Sequence, residues 1–336
     1  MYNIIIMIKA LIPFIKKNWF IFGIFIAVIV GYYFPSAAAK INKNGYFSTL
    51  LVIVVFFLQG LGIQMEKIIA GIKNIKLHIF ILFFTFIFFP LYFFAAIKIF
   101  PFLSHNEGVT AGLFVLACLP TTIVASVVFT DLAGGNASTA IFNTVISNTI
   151  GVFVTPLLFS LLLSKSTLTL PLSMLLEIFT SLAIRIIIPM GIGMVIKKFI
   201  INFADNNRKK FSYVSSFAVL FILFTAFAGS SDSITIELIK SLYPVFIFLA
   251  LTYLLISFIV YKTAGLLNFE TADIIAAVFT STQKTLTMGI PLITLYFVNN
   301  KEILGLVLIP ILFYHPWQIF MSGFIANLLQ KKKMKT

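Results

Sequence analysis

The sequence predicts an all-α integral membrane protein with ten transmembrane helices. Of its 336 residues, 60% are hydrophobic and only 10% are charged, whereas soluble domains carry about 25% charged residues. Ten apolar stretches are each long enough to cross the hydrocarbon core, which takes about 20 helical residues. The basic residues concentrate in alternate loops between these stretches, a pattern typical of a multi-pass protein.

The ten stretches follow one another with short polar connections. Residues 2–14 predict an interfacial helix ahead of the first span. The first span, Asn18–Phe34, is predicted to be retained, although Lys16 and Lys17 precede it and the small residues after Pro35 resemble a signal-peptidase site. The other nine are Tyr46–Gln64, Leu77–Ala96, Val109–Phe129, Ala137–Leu163, Leu172–Ile196, Phe211–Ala228, Tyr243–Leu266, Ala272–Phe297 and Ile303–Leu329.

The distribution of basic residues predicts the orientation. With the N-terminus inside, 16 of the 24 lie in cytoplasmic segments and 6 in outer ones, so both termini are expected to be cytoplasmic and the protein to lie in the inner (plasma) membrane. The outer set is Lys40, Lys43, Lys98, Lys165, Lys240 and Lys301. The cytoplasmic set is Lys9, Lys16, Lys17, Lys67, Lys73, Lys76, Lys197, Lys198, Arg208, Lys209, Lys210, Lys262, Lys331, Lys332, Lys333 and Lys335.

The same composition argues against several other classes of protein. Topology accounts for the net charge of +14, so no nucleic-acid partner is expected. The single cysteine, Cys118, cannot form a disulfide within one chain, and the three histidines show no metal-ligand spacing. No metal centre and no cofactor is therefore predicted. The oligomeric state stays open.

Helix breakers and polar residues interrupt the fourth and the ninth span. The fourth contains Leu119-Pro120-Thr121-Thr122, and the ninth contains Ser281-Thr282-Gln283-Lys284-Thr285, followed by Gly289 and Pro291. Such segments are tolerated at membrane depth only where protein or a water-filled cavity receives the backbone groups. Either interruption alone could be a kink without a ligand. Because the two lie five spans apart, they predict two inverted five-helix repeats with a transporter binding site between them.

Both interruptions carry a family likeness. The fourth-span motif, with Ala125-Ser126, Leu132-Ala133-Gly134-Gly135-Asn136 and Val154-Thr155-Pro156-Leu157-Leu158, resembles the bile acid:sodium symporter superfamily. The string from Ser281 to Pro291 and the motif Tyr314-His315-Pro316-Trp317-Gln318 are similar to one subgroup. This subgroup contains the seventh vertebrate member of solute carrier family 10 and its yeast and bacterial relatives.

The resemblance implies a division into core and panel domains, with the broken fourth and ninth helices crossing near the midplane. A small organic anion would bind between the domains and move by alternating access, in contact with membrane lipid. The panel would comprise residues 18–70 and 171–235, and the core residues 71–170 and 236–330. Residues 1–17 would form the cytoplasmic or interfacial N-terminus, and 331–336 a basic cytoplasmic tail.

The sodium ligands of coupled members are only partly matched. Ser126, Thr144 and Gln283 fall on ligand positions and would form any residual sodium site. Val127, Ala140, Phe279 and Thr85 stand where other ligands would be expected, and Lys284 stands where those members have asparagine.

Two cations lie at membrane depth, where each is costly unless it has a partner or faces a cavity. Lys284 has no evident carboxylate partner, so its ammonium is predicted to occupy the place of a sodium ion or to carry a coupling proton. The alternative is a lysine that snorkels from a loop edge. Arg185 is predicted to bind a carboxylate, sulfate or phosphate group of the substrate through two parallel hydrogen bonds. The alternative is an ion pair with Glu177 that has only a structural role.

Several polar side chains near the interruptions could complete the cavity, and His315 could be a proton relay or a packing residue. Serine and threonine often bond to their own helix, so each residue alone is weak evidence. The candidate site residues are Thr121, Thr122, Ser126, Asn143, Thr144, Arg185, Gln283, Lys284 and Thr285.

Three functions stay open at this point. The leading one is a secondary transporter of a small organic anion that is independent of sodium or coupled to protons. The second is a sodium-coupled symporter of the same fold. The third is a regulatory membrane protein affecting calcium homeostasis, because the subgroup is associated with control of cellular calcium uptake. An enzyme is not expected, since no carboxylate pair, histidine cluster or nucleophile–base set lies near the interruptions.

Overall fold

The computed structural model describes residues 19–42, 45–62, 74–166, 180, 183–297 and 300–333. Within these ranges the chain forms sixteen α-helices and no strand. The interfacial helix expected at residues 2–14 lies outside the described residues.

Where the structure describes them, the helices follow the predicted apolar stretches; most of residues 172–182 of the sixth stretch, residues 63–73 and the tail beyond 333 lie outside the described residues. Those of the first half are α1 Trp19–Tyr33, α2 Pro35–Ile41, α3 Tyr46–Gly62, α4 Ile75–Phe83, α5 Phe89–Ile99, α6 Glu107–Cys118, α7 Val124–Leu132 and α8 Ala137–Ser166. Those of the second half are α9 Ile188–Phe199, α10 Ile201–Asn206, α11 Arg208–Gly229, α12 Ile236–Ser241, α13 Tyr243–Leu266, α14 Thr271–Thr282, α15 Leu286–Tyr296 and α16 Lys301–Lys333. π-turns at Phe84–Phe88 and Ala183–Ile187 precede α5 and α9.

Several described helices are suited to a bilayer. Four single helices and the continuous segment Ile75–Ile99, in which a π-turn joins α4 to α5, are long and apolar enough to cross it. A sixth span results if α1 and α2, which are bent by 97° at the break between them, are taken together. These features indicate a multi-pass membrane protein. The interrupted spans and the shorter α3 fall below that length, so the count of ten stays a prediction.

The helices pack in two groups. In the first, α11 packs against α1 and α3, and α3 packs closely against α9. A Cβ added to Gly60 would meet the Met190 carbonyl oxygen, and one added to Gly193 would meet that of Phe57, so α3 and α9 approach backbone to backbone. The second group contains α4 to α8 and α13 to α16.

Both predicted interruptions are present, and they meet. Between α6 and α7 the backbone turns extended at Leu119, and between α14 and α15 it is extended at Gln283 and Thr285. The Thr285 amide donates to the Pro120 carbonyl at 2.9 Å, which joins the two breaks directly.

Candidate functional site

The first break frees carbonyl oxygens that a continuous helix would have used. The last carbonyls of any helix lack partners within it, and Pro120 keeps the chain from continuing α6. Thr155 Oγ1 donates to the Cys118 carbonyl at 2.8 Å, and Asn148 Nδ2 donates to that of Thr121 at 2.8 Å. The carbonyls of Ala117 and Leu119 remain to be satisfied.

A π-turn frees a third carbonyl in the helix pair α4–α5. The Phe89 amide donates to the Phe84 carbonyl, five residues back rather than four. The next residue, Pro90, has no N–H to donate. The carbonyl of Thr85 is therefore left without a helical donor.

Lys284 satisfies all three of these carbonyls. Its Nζ donates to Thr85 O at 3.0 Å, to Ala117 O at 2.9 Å and to Leu119 O at 2.9 Å, which uses every N–H of the ammonium. The Phe89 ring lies 4.1 Å from the same nitrogen, within cation–π range. The side chain is 0% exposed, and no described carboxylate lies within ion-pair distance of it. Among the residues that the structure describes, three backbone carbonyls and one aromatic ring are the contacts of this ammonium.

One face of α16 holds the backbone of the second break. Gln318 Oε1 accepts from the Lys284 amide at 2.7 Å, and its Nε2 donates to the Lys284 carbonyl at 2.8 Å. Tyr314 OH donates to the Thr282 carbonyl at 3.0 Å. His315 Nδ1 lies 2.9 Å from Gln318 Nε2 and 3.3 Å from the Lys284 carbonyl oxygen, so it accepts from the amide in one tautomer and donates to the carbonyl in the other. His315, which the sequence left open between a proton relay and a packing residue, therefore contacts both Gln318 and the Lys284 backbone.

The Gln283 side chain joins the two breaks on the other side of the crossing. Its Oε1 accepts from Thr122 Oγ1 and from Ser126 Oγ, the latter at 3.0 Å. Its Nε2 donates to Ser322 Oγ at 2.9 Å. Thr121 Oγ1 lies 2.9 Å from Ser126 Oγ. Four predicted site residues, Thr121, Thr122, Ser126 and Gln283, therefore form one buried hydrogen-bonded cluster.

The remaining candidates bond elsewhere. Asn143 lies 3.2 Å from His78 Nδ1, and Thr144 donates to the Ile141 carbonyl of its own helix. Thr285 Oγ1 lies 3.1 Å from Thr287 Oγ1. Of the predicted residual sodium ligands, only Ser126 and Gln283 share a hydrogen bond.

Arg185 lies in the second π-turn, which packs against both α3 and α8. Its side chain is half-buried and has no hydrogen-bond or ion-pair partner among the described residues. Glu177, the structural partner considered from the sequence, lies outside those residues.

A buried acid, Asp273, escaped the reasoning from sequence. It is 8% exposed and accepts from Asn74 Nδ2 at 2.9 Å, from Asn136 Nδ2 at 2.9 Å and from Thr139 Oγ1 at 3.4 Å. Asn74 also caps α4, where its Oδ1 accepts from the Leu77 amide. The signal that could have found this cluster is asparagine before two helices and aspartate in the first turn of a third.

The N-termini of the two half-helices that leave the crossing have no side-chain cap. These are α7, which begins at Val124, and α15, which begins at Leu286. The free amides of a helix N-terminus favour an anionic partner. The crossing therefore combines two uncapped positive helix ends with an internal cation.

Comparisons with known proteins extend over almost the whole chain. A model of the SBF-like CPA transporter family matches residues 18–331. Sodium/bile acid cotransporter 7-A of Xenopus laevis is 31% identical over 324 residues, which cover 94% of this chain and 93% of the relative. Sodium/bile acid cotransporter 7 of Danio rerio is 31% identical over 320 residues, covering 94% of each. An uncharacterised protein of Pseudomonas aeruginosa is 26% identical over 331 residues, covering 95% of each.

Proposed function

This chain belongs to the SBF-like CPA transporter family, and on that premise we propose that it carries a small organic anion by alternating access without sodium. It is a membrane transporter similar to the bile acid:sodium symporters, and thus a carrier rather than an enzyme. The ammonium of Lys284 takes the place that a sodium ion would occupy.

The contacts of Lys284 carry this proposal. Sodium is a hard cation, and such ions bind oxygen, backbone carbonyls among them. Here the three converging carbonyls already hold an ammonium at 2.9–3.0 Å, and its charge faces the negative C-terminal end of α6. A sodium ion would have to displace a tethered cation from those oxygens.

The packing around the crossing supports alternating access between panel and core. The half-helix α15 packs against α3 and α11. Nearby, the Gly305 amide donates to Ser230 Oγ at 2.8 Å, which ties the start of α16 to the end of α11. These contacts close the crossing on the side of the bundle where α6 and α16 begin.

The other half-helix, α7, is exposed at its start. Val124 and Ile123, at the start of α7, are 71% and 47% exposed. The packing of α7 is mainly on α8, α14 and α16, which belong to its own group. With the orientation that the basic residues predict, this conformation is closed to the outside and open to the cytoplasm.

An organic anion fits the charges at this site. Arg185 offers a guanidinium that has no partner among the described residues, and the starts of α7 and α15 have no side-chain cap. The exposed Ile123 and Val124 add an apolar surface beside them. We therefore expect a substrate with an acidic group and an apolar body.

Thermal unfolding of the purified protein in detergent tests the role of Lys284. Sodium is titrated against potassium and choline at fixed ionic strength. A ligand that binds only the folded state raises its stability by mass action. We expect no sodium-specific shift in the wild type. A saturable sodium-specific rise would mean that sodium has a site of its own, and Lys284 would not replace it.

Two variants extend this test. Lys284→Ala leaves three carbonyls around a vacated volume, so sodium or ammonium ions should then stabilise the protein saturably. Lys98→Ala is the matched control, because Lys98 also lies over a phenylalanine ring, 4.5 Å from that of Phe94, but is exposed. The control should show no ion-specific response. The wild-type titration decides the question even if Lys284→Ala does not fold.

A further inference from the structure

The turn between α9 and α11 exposes large apolar side chains. Phe199 is 82% exposed, Ile201 47% and Phe203 58%, whereas Ala204 in the same short helix α10 is fully buried. One face of α10 is thus held against the protein and the other is turned outward. Removing a side chain such as phenylalanine from water is favourable, so this outer face suits an apolar surrounding.

The same turn carries cations that the protein does not neutralise. Lys197 pairs with Asp205 at 3.1 Å, and Arg208 Nη2 donates to the Gly62 carbonyl at 3.2 Å. Three further cations are exposed and have no hydrogen-bond or ion-pair partner among the described residues. They are Lys198, Lys209 and Lys210.

An aromatic cluster places these cations at the height of the membrane interface. The Trp19 ring lies 5.6 Å from that of Tyr213 and 4.9 Å from that of Phe217. Tryptophan and tyrosine are enriched where the headgroups meet the hydrocarbon. Tyr213 lies one turn along α11 from Lys209 and Lys210, so the two ammonium groups lie about one helical turn outside that level.

A shallow hollow of about 370 Å³ lies at the turn and is lined by Lys198 to Phe203. Its lining combines one cation, Lys198, and one amide, Asn202, with four apolar side chains, as the boundary between headgroup and acyl chain does.

We propose that this turn, together with the start of α11, binds anionic phospholipid. Lys198, Lys209 and Lys210 contact the phosphate, and Phe199 and Phe203 enter the acyl region. A soluble anion would explain the lysines but not the exposed aromatic rings beside them. The proposal depends on the membrane location and not on Lys284 or on the transported substrate.

Short-chain phosphatidylglycerol, titrated into the detergent-solubilised full chain, tests this proposal. We expect a saturable rise of the unfolding temperature that short-chain phosphatidylcholine and inorganic phosphate do not produce. The triple variant K198A/K209A/K210A should raise the half-saturating concentration on the order of 100-fold, since each interfacial cation contributes about fivefold. The control K40A/K98A/K240A removes three exposed lysines elsewhere and should bind as the wild type does.

A second variant tests the apolar part. Phe199→Ser with Phe203→Ser leaves the charge unchanged and should weaken phosphatidylglycerol binding about tenfold or more. An equal response of the triple lysine variant and its control would overturn the proposal. A comparable rise with inorganic phosphate alone would show that a free anion, not a lipid, is the ligand.

Discussion

Two buried charges lie at opposite ends of the same half-helix, α14, and they are satisfied in different ways. Asp273 lies in its first turn and Lys284 just beyond its last, roughly 16 Å apart. The two do not pair with each other. The Asp273 carboxylate lies at the N-terminus of α14, and the Lys284 ammonium faces the C-terminal carbonyls of another helix, α6, so each charge meets a helix end whose dipole favours it.

The difference lies in the partners. Side chains hold Asp273, namely two asparagine amides and a threonine hydroxyl, so substitution can remove them one at a time. Backbone carbonyls hold Lys284, and no substitution of the donating residues deletes them. The partners of Asp273 are therefore specific residue types, whereas the partners of Lys284 are determined by the path of the backbone.

The largest effect is expected from Lys284→Met. It leaves three buried carbonyls without donors and removes the ammonium from the Phe89 ring, a loss of roughly 3–5 kcal/mol, since each unsatisfied buried acceptor costs about 1–3 kcal/mol. The unfolding temperature should fall on the order of 10 °C. Lys98→Met should leave it nearly unchanged, and equal effects of the two variants would contradict the assigned role of Lys284.

A smaller loss is expected from Asp273→Asn. The new NH2 group replaces one carboxylate oxygen and faces the amide of Asn74 or Asn136 donor to donor, while the other bond loses its charged acceptor, at a cost of about 2–3 kcal/mol. The measurement is the unfolding temperature, and the control is Asp131→Asn, which changes an exposed acid on α7. If neither substitution changed the unfolding temperature, the hydrogen bonds of Asp273 to the starts of α4 and α8 would not stabilise the fold.

Gln318→Leu tests how the lysine end is held. It deprives the Lys284 amide and carbonyl of their partners, at a cost of about 2 kcal/mol. Gln330→Leu changes an exposed glutamine of the same helix and should have little effect on the unfolding temperature. A tolerated Gln318→Leu would show that the extended backbone at this break needs no support from α16.

The smallest effect is expected from Thr155→Val, which keeps the shape of the side chain. The Cys118 carbonyl loses its donor, at a cost of about 1 kcal/mol. Thr149→Val is the control, because the Thr149 hydroxyl bonds only to the Val145 carbonyl of its own helix. A stability difference of the opposite sign would mean that the freed carbonyls at this break are satisfied in another way.

The sequence predicted the positions of the two breaks correctly, but it predicted less well which side chains lie at them. Helix breakers and polar residues at membrane depth identified both breaks and marked Lys284 as a cation without a carboxylate partner. Asn143 and Thr144 were grouped with the crossing by residue type, but the face of α8 on which each lies directs them to His78 and to the Ile141 carbonyl.

The sequence by itself determined where the apolar helices and their breaks lie, because hydropathy, proline and cation placement act over a few neighbouring residues. Only the tertiary structure decided what surrounds Lys284. Its three acceptors come from segments 165 to 199 residues away, and each is a backbone oxygen. Every residue has such an oxygen, so the identities of Thr85, Ala117 and Leu119 carry no sign of the contact. The packing of the helices selects which carbonyls are free and where they meet.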